Sequence, residues 1–267
     1  MTNPAVQVER IEGVALVTVS DVKRRNAMTA TLSERLSTVI AGLEADAGVN
    51  AIVIAGDDQA GRVFCAGGDL DALSAAGESG RESLERIYSG FLAVAHCALP
   101  TFAAIDGPAI GAGLNLALAA DVRVAGETAR FEAGFLRLGV HPGGGMTWMA
   151  QRVLGPQVTT AMLLGGESLD AGRAFEAGLV LRVATGEGQD GRSSAVTEAL
   201  RMAGYAAAAP RRLVLDTKAS QRATATLEQH HEAVSIEAGP QLDSLRSEGF
   251  KEGLQKIRTR TGKRRSR

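Results

Sequence analysis

Residues 101–120 read TFAAIDGPAIGAGLNLALAA and indicate the fold class of this chain. The first five residues, Thr101–Ile105, are mostly apolar and predict a buried strand. Asp106, Gly107 and Pro108 predict that this strand ends in a turn. The small and apolar residues at 114–120 predict a helix, which a glycine-containing loop separates from the strand. A strand that leads into a helix through such a loop is typical of an α/β protein.

The same alternation of strand and helix patterns extends outward from this stretch. Short apolar runs at 14–19, 51–55 and 122–125 predict further strands. Apolar residues at spacings of three and four predict helices at 31–43 and 83–94. Because strands alternate with helices, we expect right-handed βαβ units and a mainly parallel sheet.

The pattern becomes helical from residue 193 onward, and helices are predicted at 196–207, 210–222 and 226–238. The final stretch, 258–267, is basic and lacks apolar periodicity, which is typical of a frayed tail. The sequence therefore predicts two parts, an α/β core at 1–192 and a C-terminal helical segment with a basic tail at 193–267.

The composition is that of a globular protein, with 267 residues, 45% hydrophobic and 22% charged. The net charge of −1 gives no general attraction to nucleic acid or to a membrane surface. No apolar run reaches the roughly 20 residues of a membrane span, and the first residues do not resemble a signal peptide. These features predict a cytoplasmic protein with no nucleic-acid partner and no membrane span.

The sequence contains no pattern typical of a metal site. Cys65 and Cys97 form no CxxC pair and belong to no His/Cys cluster, so we expect two reduced thiols. His230 and His231 are adjacent, and neighbouring helical side chains point about 100° apart. They are therefore predicted to lie on an exposed helix surface and not to share an ion.

Two glycine-containing loops follow predicted strands, at 64–70 and 110–115. N–H groups at the start of a helix lack intrahelical partners, and small residues let a ligand approach the backbone. Two such loops that face each other would donate two hydrogen bonds to one oxygen, as an oxyanion hole does. Both loops are predicted at carboxyl ends of strands, where α/β folds bind ligands.

In their order and separation these segments resemble the enoyl-CoA hydratase/isomerase (crotonase) superfamily, over residues 14–257. The resemblance implies a crotonase-type ββα-superhelix (spiral) core, followed by a helical C-terminal segment that mediates trimerisation. It also implies an acyl-coenzyme A thioester as ligand, a homotrimer or dimer of trimers, and no separate cofactor, since coenzyme A enters with the substrate. The segments that carry it are 23–27, 64–70, 105–121, 138–145, 171–183 and 247–253.

The resemblance also assigns roles to individual positions. Gly68 and Ala112 match the two N–H donors of the family's oxyanion hole, although the family usually has glycine at the second position. Arg24 and Lys256 match basic positions near the coenzyme A nucleotide, Lys256 in a neighbouring subunit. The positions implied to line the path of coenzyme A, together with Gly68, are Ala27, Ala66, Asp69 and Leu70.

Three positions depart from the family pattern. Hydratases of this superfamily use two glutamates, and the matching positions here are Asn115 and Phe135. Related isomerases and dehalogenases place an aspartate where this chain has Gly143. Neither an amide nor a phenyl ring exchanges protons at neutral pH. The sequence therefore predicts a variant that lacks the usual acid and base.

Two polar residues near these positions could in principle replace the missing acid and base, namely Glu132 and His141. His141 has an unperturbed pKa suited to proton transfer and is the candidate catalytic side chain. Glu132, three residues before Phe135, is expected to face another way and to be a surface charge. Trp148 and Met149 are expected in the core or lining the acyl pocket.

Three functions remain open from the sequence. The first is an enoyl-CoA hydratase/isomerase family enzyme of fatty acyl-CoA metabolism that stabilises an enolate in its oxyanion hole. The second is a catalytically silent protein that binds or carries acyl-CoA. The third is a different crotonase reaction, such as thioester hydrolysis or C–C bond cleavage, that uses His141. One scaffold can host all three.

Overall fold

The computed structural model describes residues 4–265, except for the side chains of 256 and 259–265. The chain divides into two compact units, the first ending at Ala207 and the second beginning at Ala208. The elements of the first unit are β1 (Ala5–Ile11), β2 (Val14–Ser20), α1 (Ala30–Ala45), β3 (Ala51–Gly56), α2 (Leu70–Ser79), α3 (Arg81–His96), β4 (Thr101–Ile105), β5 (Pro108–Ile110), α4 (Ala112–Ala119), β6 (Val122–Gly126), β7 (Arg130–Glu132), α5 (Met146–Leu163), β8 (Leu169–Asp170), α6 (Ala171–Glu176), β9 (Arg182–Ala184) and α7 (Ser194–Ala207).

The larger sheet of the first unit has the strand order β1-β2-β3-β4-β6-β9. Within this sheet, neighbouring strands among β2, β3, β4, β6 and β9 pair in parallel. The sequence predicts such a mainly parallel sheet. The exception is β1, which pairs antiparallel with β2 through the tight turn at Glu12 and Gly13. Five of the six residues of β3 are buried, because helices or loops cover both faces of a parallel sheet.

Helix α7 packs against β3, β4 and β6. Its fully buried residues Ala195, Ala199 and Ala203 are spaced four apart and contribute to one apolar cluster with the sheet. Small side chains at this spacing let the helix lie close to the bulkier strand residues, which include Val53 and Phe102. The predicted 196–207 helix is therefore confirmed, and it belongs to the first compact unit.

A smaller sheet has the order β5-β7-β8, with β5 and β7 parallel and β7 and β8 antiparallel. Its short strands were not anticipated, because runs of two or three residues carry too little pattern. This sheet holds the loop that precedes α4, since the N–H of Gly111 donates to the carbonyl of Glu132 at 3.0 Å.

The second unit is helical, as predicted, and contains α8 (Arg211–Thr224), α9 (His230–Arg246) and α10 (Glu248–Arg265). The expectation of a frayed tail at 258–267 is wrong as far as Arg265, where α10 ends. Arginine and lysine are good helix formers, and positive charge is favourable near a helix C-terminus. Across the described residues, no helix is both long and apolar enough to cross a bilayer.

Candidate active site

The two glycine-containing loops lie side by side. Cys65 and Ala109 form a parallel bridge, in which the N–H of Cys65 donates to Pro108 at 3.1 Å and the N–H of Ile110 donates to Cys65 at 3.0 Å. Gly113 is required at this contact, because a β-carbon there would overlap the carbonyl oxygen of Cys65. The absence of a side chain thus lets α4 begin directly beside the 64–70 loop.

A third segment, the loop before α1, fixes the conformation around Gly68. The N–H of Met28 donates to Gly67 at 2.7 Å, and the N–H of Asp69 donates to Met28 at 3.1 Å. These two bonds flank Gly68, whose own N–H has no acceptor among the described residues. One unpaired donor is therefore left in the middle of an otherwise bonded loop.

The second donor comes from Ala112, the first residue of α4. The N–H of a first helical residue has no carbonyl four positions earlier within the helix, and no other described acceptor takes it. Gly111 precedes it with φ of +52°, a left-handed conformation that favours glycine. The turn at Gly111 thus starts α4 at Ala112, a residue that lines the same cavity as Gly68.

Gly68 and Ala112 both line a cavity of about 570 Å³. Its wall is mainly apolar and includes no carboxylate in the described part of the chain. His141 and Asn115 also line it, so the structure brings the three predicted catalytic residues and one departing position together. The remaining lining residues are Ala66, Gly67, Leu70, Leu73, Leu84, Ile87, Tyr88, Ile110, Gly111, Ala133, Gly134, Phe135, Arg137, Leu138, Val140, Pro142 and Gly143.

Asn115 is buried on α4, and only 2% of its surface is exposed. Its Nδ2 donates to the carbonyl oxygen of Gly143 at 2.9 Å, while its Oδ1 has no partner among the described residues. Phe135 and Gly143 line the same cavity. The three positions at which the sequence predicts a departure from the family pattern therefore all line this cavity.

His141 lines the cavity with an exposed side chain, and it also borders an adjoining groove of about 480 Å³. Glu132 does not line the cavity. Its carboxylate accepts from Arg130 at 3.1 Å and from Arg137 at 3.2 Å. The expectation that Glu132 faces elsewhere is thus consistent with its ion pairs.

Only some of the residues expected along the coenzyme A path line the cavity. Ala66 and Leu70 line the cavity, and Leu70 is exposed. Arg24 and Asp69 pair with each other instead, with 2.9 Å between Nε and Oδ2. Asp69 also caps α2, since its Oδ1 accepts from the N–H of Ala72 at 2.9 Å. Ala27 is buried and does not line the cavity.

The side chain of Lys256 lies outside the described residues. His230 and His231 are exposed, as expected. Among the residues that the structure describes, no cluster of His, Cys, Asp and Glu is suited to holding a metal.

Trp148 is not in the core. It is 61% exposed, and the guanidinium of Arg152 lies 4.0 Å from the centre of its ring. Trp148 and Arg152 are four residues apart on α5, so they stack on the outer face of that helix. The sequence-based expectation was wrong because large apolar residues are usually buried, whereas this one packs on a neighbouring cation.

Both cysteines are buried free thiols. Burial raises the pKa of Cys65 to about 12, despite the opposing effect of nearby backbone hydrogen bonds. The thiol of Cys65 is therefore protonated at neutral pH and unsuited to nucleophilic chemistry.

Sequence reasoning missed Tyr88 and Arg137, which both line the cavity. Tyr88 lies on α3, where Leu84, Ile87 and Phe91 share its apolar stripe. That spacing suits packing as well as it suits a site, so periodicity could not single out the phenol. Arg137 was hidden in a short turn between β7 and α5.

The chain is thus an α/β protein in which Gly68 and Ala112, whose N–H groups have no acceptor among the described residues, line one mainly apolar cavity. The chain belongs to the enoyl-CoA hydratase/isomerase family, whose model matches residues 9–262. This match agrees with the resemblance seen in the sequence.

Two proteins are similar in sequence to this chain over most of its length. A probable enoyl-CoA hydratase of Mycobacterium tuberculosis, EchA14, is 51% identical over 243 residues, which cover 89% of this chain and 91% of that protein. The mitochondrial methylglutaconyl-CoA hydratase of Mus musculus is 33% identical over 177 residues, which cover 66% of this chain and 55% of that protein.

Solved structures share the fold. A putative enoyl-CoA hydratase from Streptomyces coelicolor A3(2) is 31% identical with a TM-score of 0.83, and the match covers 96% of this chain and 91% of that one. A putative enoyl-CoA hydratase/isomerase from Mycobacterium abscessus gives a TM-score of 0.84 at 26% identity, covering 96% and 97% of the two chains. The predicted crotonase-type α/β fold is therefore confirmed.

Proposed function

We propose that this protein binds an acyl-CoA thioester and stabilises the enolate of its acyl group. In this proposal the N–H groups of Gly68 and Ala112 form an oxyanion hole for the thioester oxygen. The observation that carries the proposal is that both donors lack a partner among the described residues and belong to residues lining one cavity. Donors already in place cost no reorganisation when negative charge develops on the oxygen.

The wall of the cavity fits an acyl chain. Leu73, Leu84, Ile87 and Val140 present apolar surface, which favours burial of methylene groups. Arg24 forms an ion pair with Asp69 of the 64–70 loop, and the side chain of Arg24 is 49% exposed. We propose that it attracts the phosphates of coenzyme A, which reach the site together with the thioester.

Because Asn115 and Phe135 hold the positions of the two family glutamates, we propose a variant with weak hydratase activity or none. His141 is the proposed proton-transferring side chain of an alternative crotonase reaction. No carboxylate lies on the cavity wall in the part of the chain that the structure describes, which favours a second candidate, a silent protein that binds acyl-CoA.

Thermal unfolding with a panel of acyl-CoAs of different chain length tests binding. A ligand at 100 times its Kd stabilises the native state by about 2.7 kcal/mol. For a protein of this size that corresponds to a rise in Tm of roughly 5–10 °C. Turnover of enoyl-CoAs, measured in parallel, separates the enzyme from the silent binder. No rise in Tm with any chain length would refute the proposal.

We further propose a homotrimer or a dimer of trimers in the cytoplasm, without an additional cofactor. The helices of the second unit carry exposed apolar side chains, including Leu242 at 52% and Phe250 at 42% exposure. Such surface is commonly covered in a closed oligomer. Light scattering that gives a monomer mass at micromolar concentration would contradict this assembly.

A further inference from the structure

The hydroxyl of Tyr88 lies over the backbone of Gly143, on the wall of the cavity that Gly68 and Ala112 also line. A β-carbon on Gly143 would overlap this hydroxyl oxygen and stand 3.1 Å from the adjacent ring carbon. The phenol therefore occupies the space that a side chain at position 143 would take.

Neighbouring residues hold this arrangement in place from two sides. The ring of Tyr88 packs against that of Phe91, which is fully buried, with 5.4 Å between ring centroids. The backbone of Gly143 is tied to α4, because Asn115 donates to its carbonyl oxygen at 2.9 Å. The phenol of Tyr88 therefore lies over a turn that is hydrogen-bonded to α4, the helix that carries the Ala112 donor.

The hydroxyl of Tyr88 has no hydrogen-bond partner among the described residues. A phenolic O–H can both donate and accept a hydrogen bond, so this hydroxyl is available to a ligand group in the cavity. Among the described residues, the wall carries no carboxylate, and its other ionisable side chains are His141 and Arg137, which are both exposed. Tyr88 is the half-buried proton donor of this set.

We propose that Tyr88 is a catalytic acid that delivers a proton to the α-carbon of the enolate held by Gly68 and Ala112. The O–H bond of the phenol breaks and a C–H bond forms at the α-carbon. The electron pair for that bond comes from the enolate double bond, and the thioester C=O is restored. Water at the mouth of the cavity then returns a proton to the phenolate.

The environment of Tyr88 agrees with the role of an acid. Burial raises the pKa of this phenol above its usual value, so the hydroxyl keeps its proton at neutral pH. Helix α4, which packs on α3, carries no ionisable side chain. The charged residues on the other helices packed on α3 do not line the cavity, and they are Glu34, Arg35 and Glu44 on α1 and Asp71 and Glu78 on α2.

The inference rests on the proposed binding of acyl-CoA, and the test separates the two. Butyryl-CoA is incubated with the protein in D₂O, and exchange of its α-hydrogens is followed by NMR. Binding of the same compound is measured by calorimetry. By microscopic reversibility, the phenolate removes an α-hydrogen and the phenol returns deuterium from solvent.

We expect Tyr88→Phe to bind butyryl-CoA as the native protein does and to lose about 10²-fold in exchange rate. Tyr205→Phe is the matched control, since Tyr205 is 89% exposed and is the other tyrosine of the chain. It should exchange like the native protein. The native exchange rate should rise with pH as the phenolate fraction rises, whereas a histidine base would level off above its pKa of about 6.5.

Binding without exchange in the native protein would overturn the role of Tyr88 and leave the proposed binding of acyl-CoA standing. Exchange by Tyr88→Phe at the native rate would also overturn it, as would a loss confined to His141→Gln. If butyryl-CoA and longer acyl-CoAs all fail to bind, the proposed function fails, and the inference fails with it.

Discussion

Asn115 and Gly143 are 28 residues apart in the sequence, and the side-chain amide of Asn115 donates to the carbonyl oxygen of Gly143 at 2.9 Å. The bond fixes the orientation of the amide, because only Nδ2 is a donor. Oδ1 is consequently left buried without a partner among the described residues. Asn115 therefore acts as a link between α4 and the glycine-rich turn before α5.

Replacing Asn115 by aspartate tests this link. An ionised carboxylate cannot donate to the Gly143 carbonyl and is poorly solvated at a position that is 2% exposed. We expect a loss of about 1–3 kcal/mol in unfolding free energy at pH 7.

The pH dependence of Asn115→Asp gives a second measurement. Burial and the nearby carbonyl favour the protonated form, so the pKa of the new carboxyl is higher in the folded state than in the unfolded state. The destabilisation is therefore present at pH 7 and shrinks as the pH falls through the folded-state pKa. A Tm difference from the native protein that does not change with pH would contradict this prediction.

Restoring both glutamates tests the proposed vacancy at the acid/base positions. Asn115→Glu alone removes the donor to Gly143, and Phe135→Glu alone adds one carboxylate to an apolar wall, so each single change should give little hydration. The double variant supplies both groups and should hydrate crotonyl-CoA about 10²-fold faster than the native chain.

The double variant Asn115→Gln/Phe135→Gln is the matched control for this experiment, because it changes size in the same way without adding a charge. It should stay at the native rate, measured by loss of the enoyl absorbance. A native chain that already hydrates as fast as the glutamate double variant would show that another residue transfers the protons.

Ala112→Pro tests the second oxyanion donor. Proline removes the N–H of residue 112, and the first position of a helix tolerates its fixed φ. We expect exchange of the α-hydrogens of butyryl-CoA to fall by about 10²-fold. Ala30→Pro places a proline at the first position of α1, on a residue that does not line the cavity, and should leave the rate of α-hydrogen exchange unchanged. Equal rates for the two variants would rule out a role for the Ala112 N–H.

The contact between the two loops is tested by Gly113→Ala. The added methyl would overlap the carbonyl oxygen of Cys65, so we expect a loss of about 1–3 kcal/mol in unfolding free energy. Gly42→Ala on α1 is the control, since it is exposed and nothing lies within 4 Å of its β-carbon. That change should stabilise the chain by about 0.5–1 kcal/mol. Chemical denaturation of both variants decides whether the sign differs as expected.

The α/β class, the parallel arrangement of β2, β3, β4 and β6 and the helical C-terminal part could all be predicted from the sequence. These features follow from local patterns, since apolar spacing of two or of three to four residues defines which face of a strand or helix is buried. The sequence also identified both glycine-containing loops. Glycine at 111 and 113 reports a local backbone requirement, a left-handed φ and a close approach.

Which residues meet around the cavity depends on the tertiary structure. It placed Tyr88 over Gly143, tied Asn115 to the same residue and put Trp148 on the outer face of α5. In the tertiary structure Asp69 also caps α2 and pairs with Arg24. Each of these outcomes depends on the direction of a side chain and on residues distant in the sequence. Periodicity assigns a residue to a face, whereas the packing of that face against other elements determines which atoms meet there.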